Sequence, residues 1–176
     1  MKILIVNGRP LSGKDLFCEY AKKNRKFIYA YSTIDEVKKL AKLLGWNGIK
    51  DMNGRKFLSD LKDALTTYND LPRLYILEQI NKQMDKLDYK SKDAIFIVQM
   101  REPEEIKRWQ KLHDAKALFI YRKDNNKAWG NHADDDVLQI ETYDYYLFND
   151  GTKEDWEQRV VEFIDKLKQE QWESHL

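Results

Sequence analysis

The segment IVNGRPLSGKD, residues 5–15, constrains the fold of this chain more than any other. An apolar run at residues 3–6 leads into Gly8 and Gly13, and Lys14 directly follows the second glycine. This G-x-x-x-x-G-K spacing is that of a phosphate-binding loop, in which backbone N–H groups and the lysine surround phosphate oxygens. An ordinary strand-to-helix turn is the alternative, because Asp15 stands where the motif has Ser or Thr.

Charge and length narrow the classes of partner. The 176 residues carry 31 Lys and Arg against 30 Asp and Glu, a net charge of +1, so we expect no nucleic-acid partner. The longest apolar runs, 94–98 and 117–121, are far shorter than the roughly 20 residues of a membrane span. The single cysteine, Cys18, cannot form an internal disulfide, which suits a reducing compartment. We therefore expect one soluble cytoplasmic domain without a membrane partner, and the oligomeric state stays open.

Short apolar runs alternate with amphipathic stretches along the chain. The runs are rich in Ile, Val, Phe and Tyr and indicate five continuously buried parallel strands, at residues 3–6, 27–31, 94–98, 118–121 and 145–148. Apolar residues at helical spacing predict helices between them, at about 14–21, 33–44, 57–68, 74–87, 103–113 and from 152 onward. Thr33 with Glu36 and Thr152 with Asp155 have the form of capping boxes. This order predicts a doubly wound α/β domain, whose ligands bind beyond the carboxyl ends of the strands.

Four short motifs occur along the chain in a recognisable order. They are GRPLSGKD, MREPEEI, NHADDD and YDYYLFNDGTKEDW. In this order the sequence resembles a group of P-loop kinases that includes phage-type deoxynucleoside monophosphate kinases and animal-type phosphomevalonate kinases. The resemblance implies a three-layer P-loop NTPase fold like that of nucleoside monophosphate kinases, with a five-stranded parallel sheet. It further implies one kinase domain over residues 1–176, an acceptor-side helical segment at about 33–90 and a lid at about 122–142.

The resemblance also implies a donor site for ATP and Mg²⁺. Lys14 then contacts the β and γ phosphates, and Asp15 lies near Mg²⁺ in place of a hydroxyl, since G-K-D is a usual form of the loop in this group. The segment FNDGT, residues 148–152, passes the adenine base, although a plain turn before a capped helix explains the same residues. The expected cofactor-binding residues are Gly8, Pro10, Leu11, Ser12, Gly13, Lys14, Asp15, Asn149, Asp150 and Gly151.

The acceptor side has three candidate cations. Arg101 falls just beyond the third predicted strand, and a guanidinium grips phosphate bidentately. Arg55 and Lys38 match basic residues that face the acceptor phosphate in the similar kinases, while a solvated helix face is the alternative for both. Where those kinases have D-x-R after the strand, this chain has Gln99 before Arg101, and an amide does not hold a metal as a carboxylate does.

The segment 122–142 has no clear helical or strand period and is long for a passive connection, which favours a lid. Arg122 opens it at a strand end, where a kinase lid brings cations to the transferring phosphoryl group. The resemblance implies that Asn131 and His132 belong to the lid signature, with His132 on the substrate. A metal site at His132 is less favoured than a solvated acidic turn, because no second His or Cys lies at ligand spacing.

Together these features predict a small phosphotransferase that moves the γ-phosphoryl group of ATP to a nucleoside or deoxynucleoside monophosphate. Its catalytic residues are expected to be Lys14, Asp15, Arg101 and Arg122. A non-catalytic ATP-binding protein of the same fold is the first alternative, because of Gln99. A kinase for another phosphorylated small molecule, such as phosphomevalonate, is the second.

Overall fold

The computed structural model describes residues 1–87, 93–123, 143–170 and 172. Strands and helices are interspersed along these residues, which confirms the predicted α/β class. The elements are β1 (Lys2–Asn7), α1 (Lys14–Asn24), β2 (Ile28–Ser32), α2 (Asp35–Leu43), α3 (Met52–Asn69), α4 (Leu71–Met84), β3 (Ile95–Gln99), α5 (Pro103–His113), β4 (Lys116–Tyr121), β5 (Tyr145–Phe148) and α6 (Lys153–Gln169). Among the described residues, no helix is both long enough and apolar enough to cross a membrane.

The strands form one parallel sheet in the order β2-β3-β1-β4-β5. β1 is the central strand, and its register pairs Ile5 with Val98 on β3 and with Ala117 on β4. All six residues of β1 are buried. Because β3, β1 and β4 run parallel, their carboxyl ends lie at one edge of the sheet. The loop after β1 therefore lies between the segments that follow β3 and β4.

The chain divides into two compact units, Met1–Ala30 with Tyr89–Leu176 and Tyr31–Asp88. In the first unit, α1 and α6 cover the sheet with a shared apolar core. Phe17 on α1 and Trp156 on α6 are both buried, and their ring centroids are 6.3 Å apart. Val160, Ile164 and Leu167 continue the same buried face of α6, as helical spacing requires.

The second unit is formed by α2, α3 and α4, with a smaller core. Val37 and Ala41 on α2 meet Leu58 on α3 in this core. Asp51 caps α3, since its Oδ1 accepts a hydrogen bond from the Gly54 N–H at 2.7 Å. Pro72 lies in the first turn of α4, where its missing N–H costs no hydrogen bond of the helix.

One of the two predicted capping boxes is present. At α6, Thr152 Oγ1 accepts from the Asp155 N–H at 3.1 Å and Asp155 Oδ2 accepts from the Thr152 N–H at 2.9 Å. At α2 the predicted Thr33–Glu36 box is wrong, because Ile34 is the N-cap residue and no side chain caps the helix. Asp35 there accepts a hydrogen bond from the Ser32 N–H at 2.9 Å, so a different carboxylate satisfies the backbone entering the helix.

Continuous burial was predicted for all five strands, and it is wrong for the two at the edges. Residues along β5 alternate between half-buried and exposed, with Tyr146 43% and Phe148 53% exposed. β2 has one buried residue followed by four half-buried ones, and Phe27, expected within it, precedes it with a φ of 60°. An edge strand has a neighbour on one side alone, so its apolar residues are less fully covered than those of β1.

Candidate functional site

The loop of residues 8–13 connects β1 to α1, as a phosphate-binding loop does. Gly8 and Gly13 have φ angles of 151° and 103°, which L-residues with side chains rarely adopt. A Cβ atom at Gly8 would lie 2.5 Å from the Ile120 carbonyl oxygen of β4. The loop therefore requires glycine here both for its backbone conformation and for its close approach to the neighbouring strand.

Lys14 is the first residue of α1, and its ammonium group lies against the loop. Its Nζ donates to the carbonyl oxygens of Gly8 and Arg9, the latter at 2.7 Å. The first N–H groups of α1 have no acceptor within the helix, and the helix dipole is positive at this end. The lysine and the helix N-terminus together place positive charge at the loop.

Ser12 is buried within the loop. Its Oγ has no hydrogen-bond partner among the described residues, and a Cβ at Gly8 would come within 2.6 Å of it. The Ser12 carbonyl oxygen accepts a hydrogen bond from Asn149 Nδ2 at 2.8 Å. A buried hydroxyl that lacks a partner costs free energy unless a bound group satisfies it, so this atom fits a loop that holds a ligand.

Asp15 lies beside Gln99 at the end of β3. Gln99 Nε2 donates to Asp15 Oδ1 at 3.1 Å and to Cys18 Sγ at 3.3 Å. Burial raises the pKa of the Cys18 thiol to about 11, which keeps it protonated and unreactive near neutral pH. The amide of Gln99 therefore orients the Asp15 carboxylate, and an oxygen of this carboxylate is the kind of ligand that Mg²⁺ prefers.

Arg101 and Arg122 follow the two strands that flank β1. Arg122, directly after β4, places its Nη1 3.5 Å from the carbonyl oxygen of Leu11 in the loop. The carbonyl oxygen of Arg101, two residues after β3, accepts from Asn7 Nδ2 at 3.1 Å. The sheet thus brings both predicted arginines to the edge where the loop lies, one on each side of β1.

Asn7 joins three segments at this edge, and the sequence analysis did not identify it. Its Oδ1 accepts from the Gly8 N–H at 2.7 Å, while its Nδ2 donates to the Arg101 carbonyl and, at 2.6 Å, to the Tyr143 hydroxyl oxygen. Burial raises the pKa of Tyr143 to about 12, so the phenol stays neutral. The signal available in the sequence was an asparagine directly after an apolar run. In the structure this side chain is fully buried, and a buried amide needs hydrogen-bond partners.

The predicted adenine loop, residues 149–151, contacts other parts of the first unit. Asn149 continues the backbone pairing of β5 by donating its N–H to the Tyr121 carbonyl at 2.8 Å. Asp150 Oδ1 accepts from the Lys123 N–H at 3.3 Å. Gly151 has a φ of 110°, which suits the turn before the Thr152 cap.

Lys38 and Arg55 lie in the second unit. Lys38 Nζ is 3.7 Å from Asp35 Oδ1 within α2. Arg55, in the first turns of α3, donates from Nε to the Lys50 carbonyl at 3.0 Å. Both basic residues therefore have contacts within their own unit.

Several predicted features lie outside the described residues. These are nearly all of the expected lid, including Asn131 and His132, and the acidic residues 134–136. Within residues 1–87, 93–123, 143–170 and 172, no three His, Cys, Asp or Glu residues are grouped as a protein-only metal site would require. Asp15 is thus a single carboxylate, and a Mg²⁺ ion there needs ligands from phosphate and water.

No known protein family matches the chain, and neither does any curated protein. Solved structures do resemble it. A candidate kinase from Chloroflexus aurantiacus has a TM-score of 0.51 at 12% identity, covering 94% of this chain and 96% of its own. Dephospho-CoA kinase from Campylobacter jejuni has a TM-score of 0.49 at 17% identity, with coverages of 94% and 97%. TT1252 from Thermus thermophilus has a TM-score of 0.49 at 14% identity, also with coverages of 94% and 97%.

At 12% identity, the likeness to the Chloroflexus protein bears on the fold alone. The likeness extends over 94% of this chain. The predicted α/β fold with a five-stranded parallel sheet is confirmed.

Proposed function

We propose that this protein is a kinase that transfers the γ-phosphoryl group of ATP to the phosphate of a nucleoside or deoxynucleoside monophosphate. One observation carries the proposal: Lys14, Arg101 and Arg122 follow three adjacent parallel strands at the same edge of the sheet. Ligands of open α/β sheets bind at this edge. Phosphoryl transfer asks the protein mainly for alignment and for positive charge around the phosphate oxygens.

The donor site is the loop of residues 8–13 with Lys14. Its glycines let the backbone approach a phosphate group closely, and the N-terminus of α1 favours an anion. The buried Ser12 hydroxyl, which has no partner among the described residues, is available as a donor to a bound phosphate. Lys14 exchanges its two carbonyl partners for phosphate oxygens when ATP binds.

Asp15 is the residue that would hold Mg²⁺. A single carboxylate at the start of α1 fits an ion that keeps several waters and takes its other ligands from phosphates. When bound, the ion neutralises charge on the β and γ phosphate oxygens. Gln99 keeps one oxygen of Asp15 engaged at 3.1 Å, which leaves the other oxygen to face the ion.

The choice of a nucleotide acceptor rests on the second unit and on the resemblance of its residues to phage-type kinases. Arg55 and Lys38 are its candidate phosphate ligands. Its aromatic residues include Phe57, 36% exposed, and Tyr68, 86% exposed, and exposed rings offer faces on which a nucleobase stacks. The NDG segment, residues 149–151, is also closer to the phage-type enzymes than to phosphomevalonate kinases.

Gln99 favours a second candidate function, a nucleotide-binding protein without turnover. An amide carries no charge, so residues 99 and 15 together supply one negative charge to a metal ion where a pair of carboxylates would supply two. Such a protein would bind ATP through the same loop and release no ADP.

An acceptor panel tests the proposal. Ribonucleoside and deoxyribonucleoside monophosphates and phosphomevalonate are each incubated with ATP and Mg²⁺, and ADP release is confirmed by product mass. We expect turnover with at least one nucleoside monophosphate and at least about 100-fold less turnover with the Lys14→Ala variant. Turnover of phosphomevalonate alone would overturn the nucleotide assignment. Tight ATP binding without turnover of any acceptor would establish the non-catalytic function.

A further inference from the structure

Asn149 links the last strand of the sheet to the candidate donor loop. It follows β5 directly, and its backbone N–H bonds to the Tyr121 carbonyl on β4 at 2.8 Å. Its side-chain Nδ2 donates to the Ser12 carbonyl oxygen, also at 2.8 Å, across 137 positions of sequence. The reverse orientation of the amide would set Oδ1 against a carbonyl oxygen, two acceptors without a proton between them. The contact therefore fixes which end of the amide faces the loop.

The side-chain amide of Asn149 packs directly against Gly13. A Cβ atom at Gly13 would lie 2.3 Å from Asn149 Nδ2 and 3.4 Å from Trp156 Nε1. The Asn149 side chain thus occupies the space that any larger residue at position 13 would need. The second glycine of the motif serves this contact as well as its own φ of 103°.

The contact also sets the direction of a backbone N–H group in the loop. Ser12 C=O and Gly13 N–H belong to one trans peptide plane, so they point in opposite directions. Because Asn149 holds the carbonyl oxygen toward itself, the Gly13 N–H points away from Asn149. In a phosphate-binding loop, the directions of the backbone N–H groups determine how well the loop surrounds an anion.

We propose that Asn149 is a positioning residue for the phosphate-binding loop, which it orders through the Ser12–Gly13 peptide. This inference rests on the proposed nucleotide site and deepens it. It differs from the role that the resemblance implied for Asn149, contact with the adenine base. A residue that orders the loop affects every ligand with a polyphosphate chain equally, whereas a residue that contacts the base affects the choice among bases.

Binding measurements on uncharged variants separate the two roles. Asn149→Leu keeps the branched shape and removes the donor, and Asn149→Ala removes both. Calorimetry measures the Kd of inorganic tripolyphosphate, ATP and GTP for each folded variant, with Asn81→Leu, the same substitution at an exposed position of α4, as the control. We expect both Asn149 variants to raise the Kd of tripolyphosphate and the Kd of ATP by the same factor, about three- to tenfold for one lost hydrogen bond. The ratio of ATP to GTP affinity stays that of the parent.

Two results would overturn the inference. One is a parent-like Kd for tripolyphosphate in both variants. The other is a changed ratio of ATP to GTP affinity together with a parent-like Kd for tripolyphosphate, which would show that Asn149 contacts the base. If the parent itself binds neither ATP nor tripolyphosphate, the proposed function fails first, so the two failures are distinguishable. Where Asn149→Ala does not fold, Asn149→Leu with its retained volume decides the test.

Discussion

Gln99 Nε2 lies 3.1 Å from Asp15 Oδ1 and donates a hydrogen bond to it. The kinases that the sequence resembles have an acidic residue where this chain has Gln99, and a carboxylate there would repel Asp15 in the absence of a cation. The amide instead holds the carboxylate in place without adding charge. Asp15 is therefore the carboxylate on which the proposed metal binding at this loop depends most directly.

Asp15→Asn is expected to raise the Mg²⁺ concentration needed for half-maximal activity by about tenfold or more, because a neutral amide is a poorer ligand for a hard cation. The measurement is a Mg²⁺ titration at saturating ATP. Glu78→Gln removes a charge from an exposed ion pair on α4 and should leave the titration unchanged. An identical titration for Asp15→Asn would restrict Asp15 to a role at the N-terminus of α1.

Lys14→Ala is expected to lower ATP-dependent activity by at least about 100-fold, or about 2.7 kcal/mol of transition-state stabilisation. The reason is that backbone N–H groups orient phosphates but do not replace a full positive charge. kcat/KM for ATP measures the loss. Lys22→Ala changes an exposed lysine in the last turn of the same helix and should retain parent activity. Activity of Lys14→Ala within a few-fold of the parent would contradict the assignment of the donor loop.

The features that could be predicted from sequence depend on residues close together in the chain. The glycines at positions 8 and 13 with Lys14 indicated the strand, loop and helix correctly, and Thr152 with Asp155 forms the predicted cap. Such motifs encode their own geometry, because the partner groups lie within a few residues. The Thr33–Glu36 box failed for a local reason, since α2 begins one residue later than the motif requires, with Ile34 as its N-cap residue.

The contacts that organise the site join residues distant in sequence. Asn7 meets Tyr143, and Asn149 meets Ser12, only because the sheet order brings β1, β4 and β5 together. A single sequence shows the two asparagines but does not show which residues they contact. The prediction of continuous burial for β2 and β5 failed for the same reason. The sheet order decides which strands lie at the edges, and the residues of a single strand do not reveal that order.

Thr152→Ala is expected to lower the free energy of unfolding by about 1 kcal/mol, the usual cost of removing an N-cap side chain. Hydrogen bonds from Thr152 hold the pKa of Asp155 below its ordinary value. The cap therefore stabilises the folded state at neutral pH, and this contribution is lost as the pH falls through the lowered pKa of Asp155. Denaturant unfolding at pH 7 and at lower pH measures both effects.

The control for the cap is Thr67→Ala, an exposed change within α3, which should alter the free energy of unfolding by less than about 0.5 kcal/mol. The difference between parent and Thr152→Ala should narrow as the pH is lowered. A difference that stays constant down to pH values where Asp155 is protonated would show that the carboxylate adds nothing to the cap.

Cys18 is expected to react very slowly with iodoacetamide in the folded protein. The side chain is buried, and its pKa of about 11 means that about one thiol in a thousand is ionised at pH 8. In denaturant the same thiol regains an ordinary pKa, and roughly a quarter of it is thiolate at that pH. Mass spectrometry of the labelled protein compares the two states, with Cys18→Ser as the blank. Fast labelling of the folded protein would show that α1 opens from the sheet far more often than the burial of Cys18 implies.

Arg101→Ala is expected to raise the KM for the acceptor and lower kcat, while the Kd of ATP measured without acceptor stays near that of the parent. Arg101 follows β3, and Asn7 fixes its backbone by the hydrogen bond to its carbonyl oxygen. Its side chain therefore starts from an anchored backbone next to the loop after β1, and in the proposed function a bidentate grip of the guanidinium on the acceptor phosphate would align the acceptor. Arg108→Ala, which removes a cation paired with Glu105 on α5, is the matched control and should leave all three constants unchanged. If Arg101→Ala loses ATP binding instead, Arg101 belongs to the donor side and not to the acceptor.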